Sequence, residues 1–319
     1  MVRNKQLIGF LLVIFGASFW GIGGTVSQRL FEEHDILVNW LVSVRLLGAG
    51  TLLLLISYFF GDRSLIFGIW RSRKNVSQLL IFSIFGMLAV QYTYMASIEA
   101  GNAAVATLLQ YLGPVFIMIY LLLTRQTRFN IQMANAVILA LVGTFLMLTN
   151  GSLQSLQVPG KAIFWGLASG IAMAFYTLYP VKILRKYSSL VVIGWSMIIG
   201  GIGMSLFHPP WQFTSTNWTV ETYGYLLFVI VFGTMFGFWF YLESLKYLTP
   251  QVTSLLGNME PLVSILSSVF WLKMSFGPWQ MVGMGLIIFL VIYLSFDKNE
   301  EPENEKIPLP TEIKKDHIM

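Results

Sequence analysis

The chain has 319 residues, of which 56% are hydrophobic and only 11% are charged, whereas a soluble domain is about 45–50% apolar and about 25% charged. This composition excludes a water-soluble globular protein and predicts a chain that has the lipid bilayer as its solvent. The formal net charge of +5 is spread in small groups between apolar segments, so it indicates membrane topology rather than a nucleic-acid partner.

Cysteine and histidine usage bears on cofactors. The sequence contains no cysteine, and His34, His208 and His317 all lie outside the apolar runs. A disulfide framework, an iron–sulfur cluster or a thiolate metal site is therefore excluded. We expect no resident metal and no cofactor.

Apolar stretches bounded by charged residues, Gly, Pro or Asn predict an all-α membrane protein with ten transmembrane helices. The first five are expected near residues 7–28, 37–60, 76–98, 104–124 and 131–149, and the second five near 160–182, 190–207, 223–245, 251–272 and 278–296. The first run follows basic residues, as a signal peptide would, but it is too long for one and is interpreted as a retained helix. Residues 298–319 are charged and contain proline, which predicts a disordered cytoplasmic tail.

The distribution of basic residues predicts the orientation. With a cytoplasmic N-terminus, sixteen of the 20 Lys and Arg residues fall on the cytoplasmic side, and only Arg29, Lys161 and Lys273 fall outside. Short cytoplasmic loops retain basic residues, so both termini are expected in the cytoplasm and the protein in the cell membrane.

An internal repeat divides the chain. Residues 82–114 align with 229–261 at a constant offset of 147, with eight of 33 positions identical. Helices three and four then correspond to helices eight and nine, which predicts two five-helix halves at residues 1–150 and 151–297. Because each half has an odd number of spans, the halves are expected to have opposite orientations, an inverted repeat common in secondary transporters.

Three local features carry a resemblance to a known family. They are ASFWGIGGTV at 17–26, Arg45 in helix two, and YMASIEAGNAAVATLLQYLGP at 94–114 with its partner YLESLKYLTPQVTSLLGNMEP at 241–261. Their order, spacing and duplication resemble the drug/metabolite transporter superfamily, specifically its ten-helix members with two EamA-type halves. The resemblance implies alternating access around a cavity formed by helices one, three, four, six, eight and nine. It also implies export of a metabolite such as an amino acid or related compound, with proton exchange as one candidate coupling.

Glu260 lies about ten residues into predicted helix nine, where an ionised side chain costs roughly 2.5–3.5 kcal/mol. Thr253, Gly257, Glu260, Ser264 and Ser267 share one helix face, and this face is expected to meet protein or a wet cavity. Two interpretations stay open for Glu260. It is either a titratable site for a proton or cationic group, or a buried carboxylate satisfied by a neighbouring helix.

Arg45 is the second ion within the predicted spans. Its guanidinium could bind a carboxylate or phosphate through two parallel hydrogen bonds. The alternative, which is favoured, is a structural bond from helix two to a carbonyl or an acid.

The predicted substrate site combines aromatic walls with sparse polar groups, which suits a small amphipathic solute. Its members are Trp20, Gln91, Tyr94, Thr107, Gln110, Tyr111, Tyr176, Trp239, Tyr241, Ser254 and Asn258. Pro114 and Pro261 are predicted helix breaks, because proline removes a backbone donor and frees carbonyls one turn earlier.

These features favour a secondary transporter with a small-molecule substrate, membrane lipid around it and protons as a candidate partner. No nucleotide-binding motif is present in the sequence, and the oligomeric state stays open. Two alternatives remain. An intramembrane lipid-modifying enzyme would need an acid–base pair within the spans, and a membrane receptor would bind a ligand without moving it.

Overall fold

The computed structural model describes residues 2–61, 63–125, 131–152, 157–184, 186–212, 218–244, 247–248, 253, 256–257 and 259–295, and all regular secondary structure among them is helical. The helices up to residue 149 are α1 Val2–Glu33, α2 Val38–Phe60, α3 Arg63–Gly68, α4 Arg73–Ile81, α5 Ala89–Ala100, α6 Ala103–Gln110, α7 Gly113–Leu123 and α8 Ile131–Thr149. Those that follow are α9 Gly160–Leu178, α10 Val181–Leu184, α11 Ser189–Ser205, α12 Val220–Ile230, α13 Gly237–Ser244, α14 Met259–Phe270 and α15 Pro278–Ser295.

Six segments of the described chain are long and apolar enough to cross a bilayer. They are Gln6–Glu33, Val38–Phe60, Arg73–Ala100, Ala103–Leu123, Gly160–Leu184 and Val220–Tyr241. Shorter apolar helices occupy Ala134–Thr149, Ser189–Ser205, Met259–Phe270 and Pro278–Leu290. Helices therefore stand where the sequence predicts them, whereas the number that cross the membrane and the side of each terminus stay predictions.

The first helix is longer than its apolar run. It continues to Glu33, past the predicted end at residue 28. Two i,i+4 side-chain pairs support this extra turn. The Gln28 amide donates to Glu32 at 2.9 Å, and Arg29 forms an ion pair with Glu33 at 2.8 Å.

The predicted helix at 104–124 is interrupted close to Pro114, one of the two positions at which the sequence predicts a helix break. Helix α6 ends at Gln110, and α7 begins at Gly113 with Pro114 as its second residue. Proline is tolerated in the first turn of a helix, where its missing N–H has no helical partner to lose. The same residue cannot donate to the carbonyl of Gln110, so the hydrogen-bond ladder stops there.

Part of the predicted helix nine lies outside the described residues. The described helix in this region is α14, which begins at Met259 and has Pro261 as its third residue. Ser254 and Asn258 fall outside the described chain. Residue 296 and the predicted tail at 298–319 do so as well.

Two short π-helical segments occupy related positions. Phe82–Leu88 joins α4 to α5, and Val231–Phe236 joins α12 to α13. The repeat offset places residues 82–88 on 229–235, so the two segments overlap. Such π segments are rare and often occur at functional sites, because the extra residue in the turn re-aims neighbouring side chains.

Helix contacts follow a two-fold pattern. Helix α1 packs on α13 and α14, and α9 packs on their counterparts α5 and α7. Helix α2 packs on α11, and α8 packs on α15. Exchanging the two predicted halves leaves this set of contacts unchanged. The elements that carry the candidate site therefore surround α1 and α9.

Candidate functional site

Glu260 is buried at the start of α14 and is bound by a tyrosine from the interrupted helix. Its side chain is 8% exposed, and the Tyr111 hydroxyl lies 2.9 Å from Glu260 Oε2. The same hydroxyl lies 3.1 Å from the carbonyl oxygen of Gly257. Tyr111 directly follows Gln110, the last residue of α6, so the break in this helix holds the carboxyl-binding group.

A second set of hydroxyls connects α14 with three other helices. The Tyr94 hydroxyl lies 2.8 Å from Thr107 Oγ1, which lies 3.4 Å from Ser264 Oγ. Thr25 Oγ1 lies 2.6 Å from Ser267 Oγ. The polar face of α14 is therefore packed against protein on α1, α5 and α6.

Arg45 is buried, and only part of its guanidinium group has a hydrogen-bond partner among the described residues. The residue is 5% exposed, and its Nε donates to Thr234 Oγ1 at 3.2 Å, in the second π segment. One terminal guanidinium nitrogen has no hydrogen-bond partner among the described residues. The ion pairs of the described chain join Arg29 to Glu33 and Lys161 to Glu99, so neither Arg45 nor Glu260 has an ionic partner there.

Several aromatic side chains of the predicted substrate site pack against one another near Glu260. Trp20 lies 5.2 Å from the ring of Tyr241 and 5.0 Å from that of Phe238. Phe238 lies 6.5 Å from Tyr176, and a Cβ on Gly257 would lie 3.2 Å from Tyr241. The rings thus connect α1, α9 and α13 to the segment that carries Glu260. The indole N–H of Trp20 is buried without a partner in the described chain.

Three of the predicted residues lie apart from the Glu260 contacts. Gln110 donates to Ser169 Oγ at 2.8 Å and so connects α6 to α9. Trp239 stacks on Phe236, with ring centroids 6.0 Å apart. Gln91 is 5% exposed and has no hydrogen bond to a described residue.

The sequence reasoning missed two polar positions on α1 and one in the second π segment. Thr25 contacts Ser267, and Thr234 accepts from Arg45. Gln28 is 2% exposed, and its carbonyl accepts from the backbone N–H of Ala103 at 2.9 Å. The sequence does contain a signal for the two α1 positions. Thr25 and Gln28 are polar residues three positions apart in an apolar helix, so they share one helix face.

Comparisons with known proteins identify the family. The model of the EamA-like transporter family matches residues 7–149 and again residues 160–296. The "Uncharacterized inner membrane transporter YicL" of Salmonella typhimurium is 38% identical over 291 residues, covering 91% of this chain and 95% of that protein. An "Uncharacterized transporter" of Archaeoglobus fulgidus is 23% identical over 292 residues, covering 89% of this chain and 97% of that one.

A solved crystal structure has the same fold. It superimposes with a TM-score of 0.59 at 16% sequence identity and covers 92% of this chain and 96% of its own. The superposition shows the fold alone, and the family match supports the resemblance to the drug/metabolite transporter superfamily. The chain belongs to the EamA-like transporter family and is a multi-pass integral membrane protein.

Proposed function

We propose that this protein is a secondary transporter that exports a small amphipathic metabolite, such as an amino acid or a related compound, in exchange for protons. Family membership supports transport rather than enzymatic turnover. The observation that carries the proposal is the buried Glu260 carboxyl, which has Tyr111 as its hydrogen-bond partner and no ionic partner among the described residues. A buried charge without a counter-ion is costly, so this carboxyl is suited to binding a proton or a cationic group.

The two buried ions support a substrate class. Among the described residues the buried charged side chains are those of Arg45 and Glu260, and neither has an ionic partner there. A zwitterion brings a carboxylate for the guanidinium and an ammonium group for the carboxyl. When the substrate leaves, a proton can neutralise Glu260. This exchange would couple the two movements.

Alternating access requires elements that bend or rock around the site. The break between α6 and α7 and the two π segments supply irregular points beside the buried polar groups. Helices α1 and α9 each pack against two helices of the opposite predicted half. We propose that the halves move about these contacts and expose the Glu260 region to one side at a time.

The test uses purified protein in liposomes with an acidic interior and single radiolabelled amino acids outside. Proton efflux is expected to drive accumulation by the wild type. The Glu260→Gln variant is expected to lose accumulation against a gradient, because an amide does not take up a proton. Glu99→Gln is the matched control, since the Glu99 side chain is 38% exposed and 4.0 Å from Lys161.

Each outcome has a distinct meaning. Proton-driven accumulation by Glu260→Gln at the wild-type rate would remove Glu260 from coupling. Binding of an amino acid to the purified wild type without uptake into liposomes would favour a receptor over a carrier.

A further inference from the structure

A cavity of about 460 Å³ lies at the start of α4, away from the Glu260 contacts. Its lining includes Trp70, Arg71, Arg73, Ser77, Leu80 and Ile81. The first two belong to the 3₁₀ turn Ile69–Arg71, and the others follow along α4. The cavity therefore has a charged end and an apolar end.

The charged end presents two guanidinium groups. Arg71 and Arg73 are both exposed, and neither forms an ion pair with a described residue. A guanidinium matches the oxygens of a phosphate with paired hydrogen bonds. This end of the cavity is suited to an anionic group.

The apolar end continues along the same helix face. Leu80 is 43% exposed and Ile81 is 38% exposed, and about one turn further on Ile84 is 37% and Phe85 63% exposed. Trp70, at the charged end, is 39% exposed, and Trp favours the boundary between water and hydrocarbon. A soluble anion would contact the charged end alone, whereas an amphiphile would contact both ends.

The order of groups along the cavity is guanidinium, then hydroxyl, then hydrocarbon, which is the order of complementary groups in a phospholipid. We propose that this cavity binds a diacyl phospholipid with an anionic headgroup. The phosphate contacts Arg71 and Arg73, and the acyl chains lie along Leu80, Ile81 and Phe85. The proposal depends neither on the transported substrate nor on the direction of transport.

The test is native mass spectrometry of the full chain in detergent, titrated with dioleoyl phosphatidylglycerol or dioleoyl phosphatidylcholine. The wild type is expected to bind the anionic lipid more tightly. One basic side chain near an anionic surface contributes about fivefold in affinity, so R71Q/R73Q is expected to bind it about 30-fold more weakly. The matched control is K74Q/K186Q, which removes the same charge from exposed lysines that do not line the cavity.

Three results would overturn the proposal. One is wild-type affinity in R71Q/R73Q, and another is an equal loss in K74Q/K186Q, which would indicate unspecific surface charge. The third is full competition by glycerol phosphate at the lipid's own concentration, which would indicate a soluble-anion site. If R71Q/R73Q does not fold, R71Q and R73Q are tested as single variants. Each is expected to bind the anionic lipid about fivefold more weakly than the wild type. Wild-type affinity in both single variants would contradict the proposed site.

Discussion

At the scale of single residues, each of the two buried ions is bound by a hydroxyl from a distant part of the chain: Glu260 by Tyr111 and Arg45 by Thr234. The cost of a charge within a span is enough to predict that Glu260 faces protein. Its contact with Tyr111 depends on the break after Gln110. The bond between Arg45 and Thr234 joins residues 189 positions apart. No periodic pattern in the sequence encodes such a pairing.

The Tyr111→Phe variant measures the hydrogen bond to Glu260. Removing the hydroxyl leaves the buried carboxyl without its partner, so we expect a loss of about 1–3 kcal/mol in the free energy of unfolding. Unfolding of purified protein in detergent gives the value. In a Glu260→Gln background, Tyr111→Phe is expected to lower the free energy of unfolding by a smaller amount, because a hydrogen bond to an uncharged amide is weaker than one to a carboxylate. Tyr92→Phe is the control, since the Tyr92 hydroxyl has no hydrogen bond to a described residue.

The Arg45→Met variant separates the two interpretations of Arg45. Thr234 keeps its hydrogen bond to the carbonyl of Val229 at 2.7 Å without Arg45. A buried charge without an ionic partner is costly, so an apolar side chain of similar size removes this cost. We therefore expect an unfolding temperature at or above that of the wild type, together with loss of the stabilisation by any amino acid that shifts the wild type.

The opposite pattern would assign Arg45 to structure. A lower unfolding temperature with an intact amino-acid response would show that the guanidinium ties α2 to the second π segment. Arg63→Met is the comparison, because Arg63 is an exposed arginine that bonds the carbonyl of Tyr58 outside the site.

At the scale of helices, apolar length predicts position well and internal geometry poorly. The predicted helices at 37–60 and 131–149 agree with Val38–Phe60 and Ile131–Thr149. The π segments are invisible in the sequence, because the same apolar residues support an ordinary turn and a widened one. The extra turn of α1 is stabilised by pairs of polar side chains. A search for apolar runs stops before it reaches these residues.

Close approach between helices makes one glycine hard to replace. A Cβ on Gly21 would lie 2.6 Å from the carbonyl oxygen of Glu260, and backbone cannot move aside as a side chain can. We expect Gly21→Ala to lower the free energy of unfolding by about 1–3 kcal/mol. Gly285→Ala is the matched control, because nothing lies within 4 Å of a Cβ there and alanine favours a helix over glycine by about 1 kcal/mol. Equal unfolding temperatures for the two variants would contradict this account of the α1–α14 contact.

At the scale of the whole molecule, repetition and charge predict the architecture. The offset of 147 is derived from residue identities alone, yet it also relates the two π segments and the contacts of α1 to those of α9. Orientation rests on the basic residues, because the structure contains no membrane. The side of each terminus is therefore the prediction to test at this scale.

The absence of native cysteine makes that test direct. Single variants Lys5→Cys and Lys314→Cys are expected to react with a membrane-impermeant maleimide only after the cytoplasmic side is opened, because short cytoplasmic loops and ends retain basic residues. Lys161→Cys is expected to react in intact cells. Labelling of the two termini from different sides would rule out an inverted pair of five-helix halves.

The contact between Gly23 and Gly233 sets a limit on how α1 can move. A Cβ on Gly23 would lie 3.0 Å from the Gly233 Cα, so the two backbones meet there with no side chain between them. We expect a tilt of α1 to pivot near this point, because the backbones are closest there. On one side of this contact along α1, Gly9 packs against Leu248. On the other side, the Arg29 guanidinium lies over the Trp271 ring. Closing one end of the helix would therefore open the other.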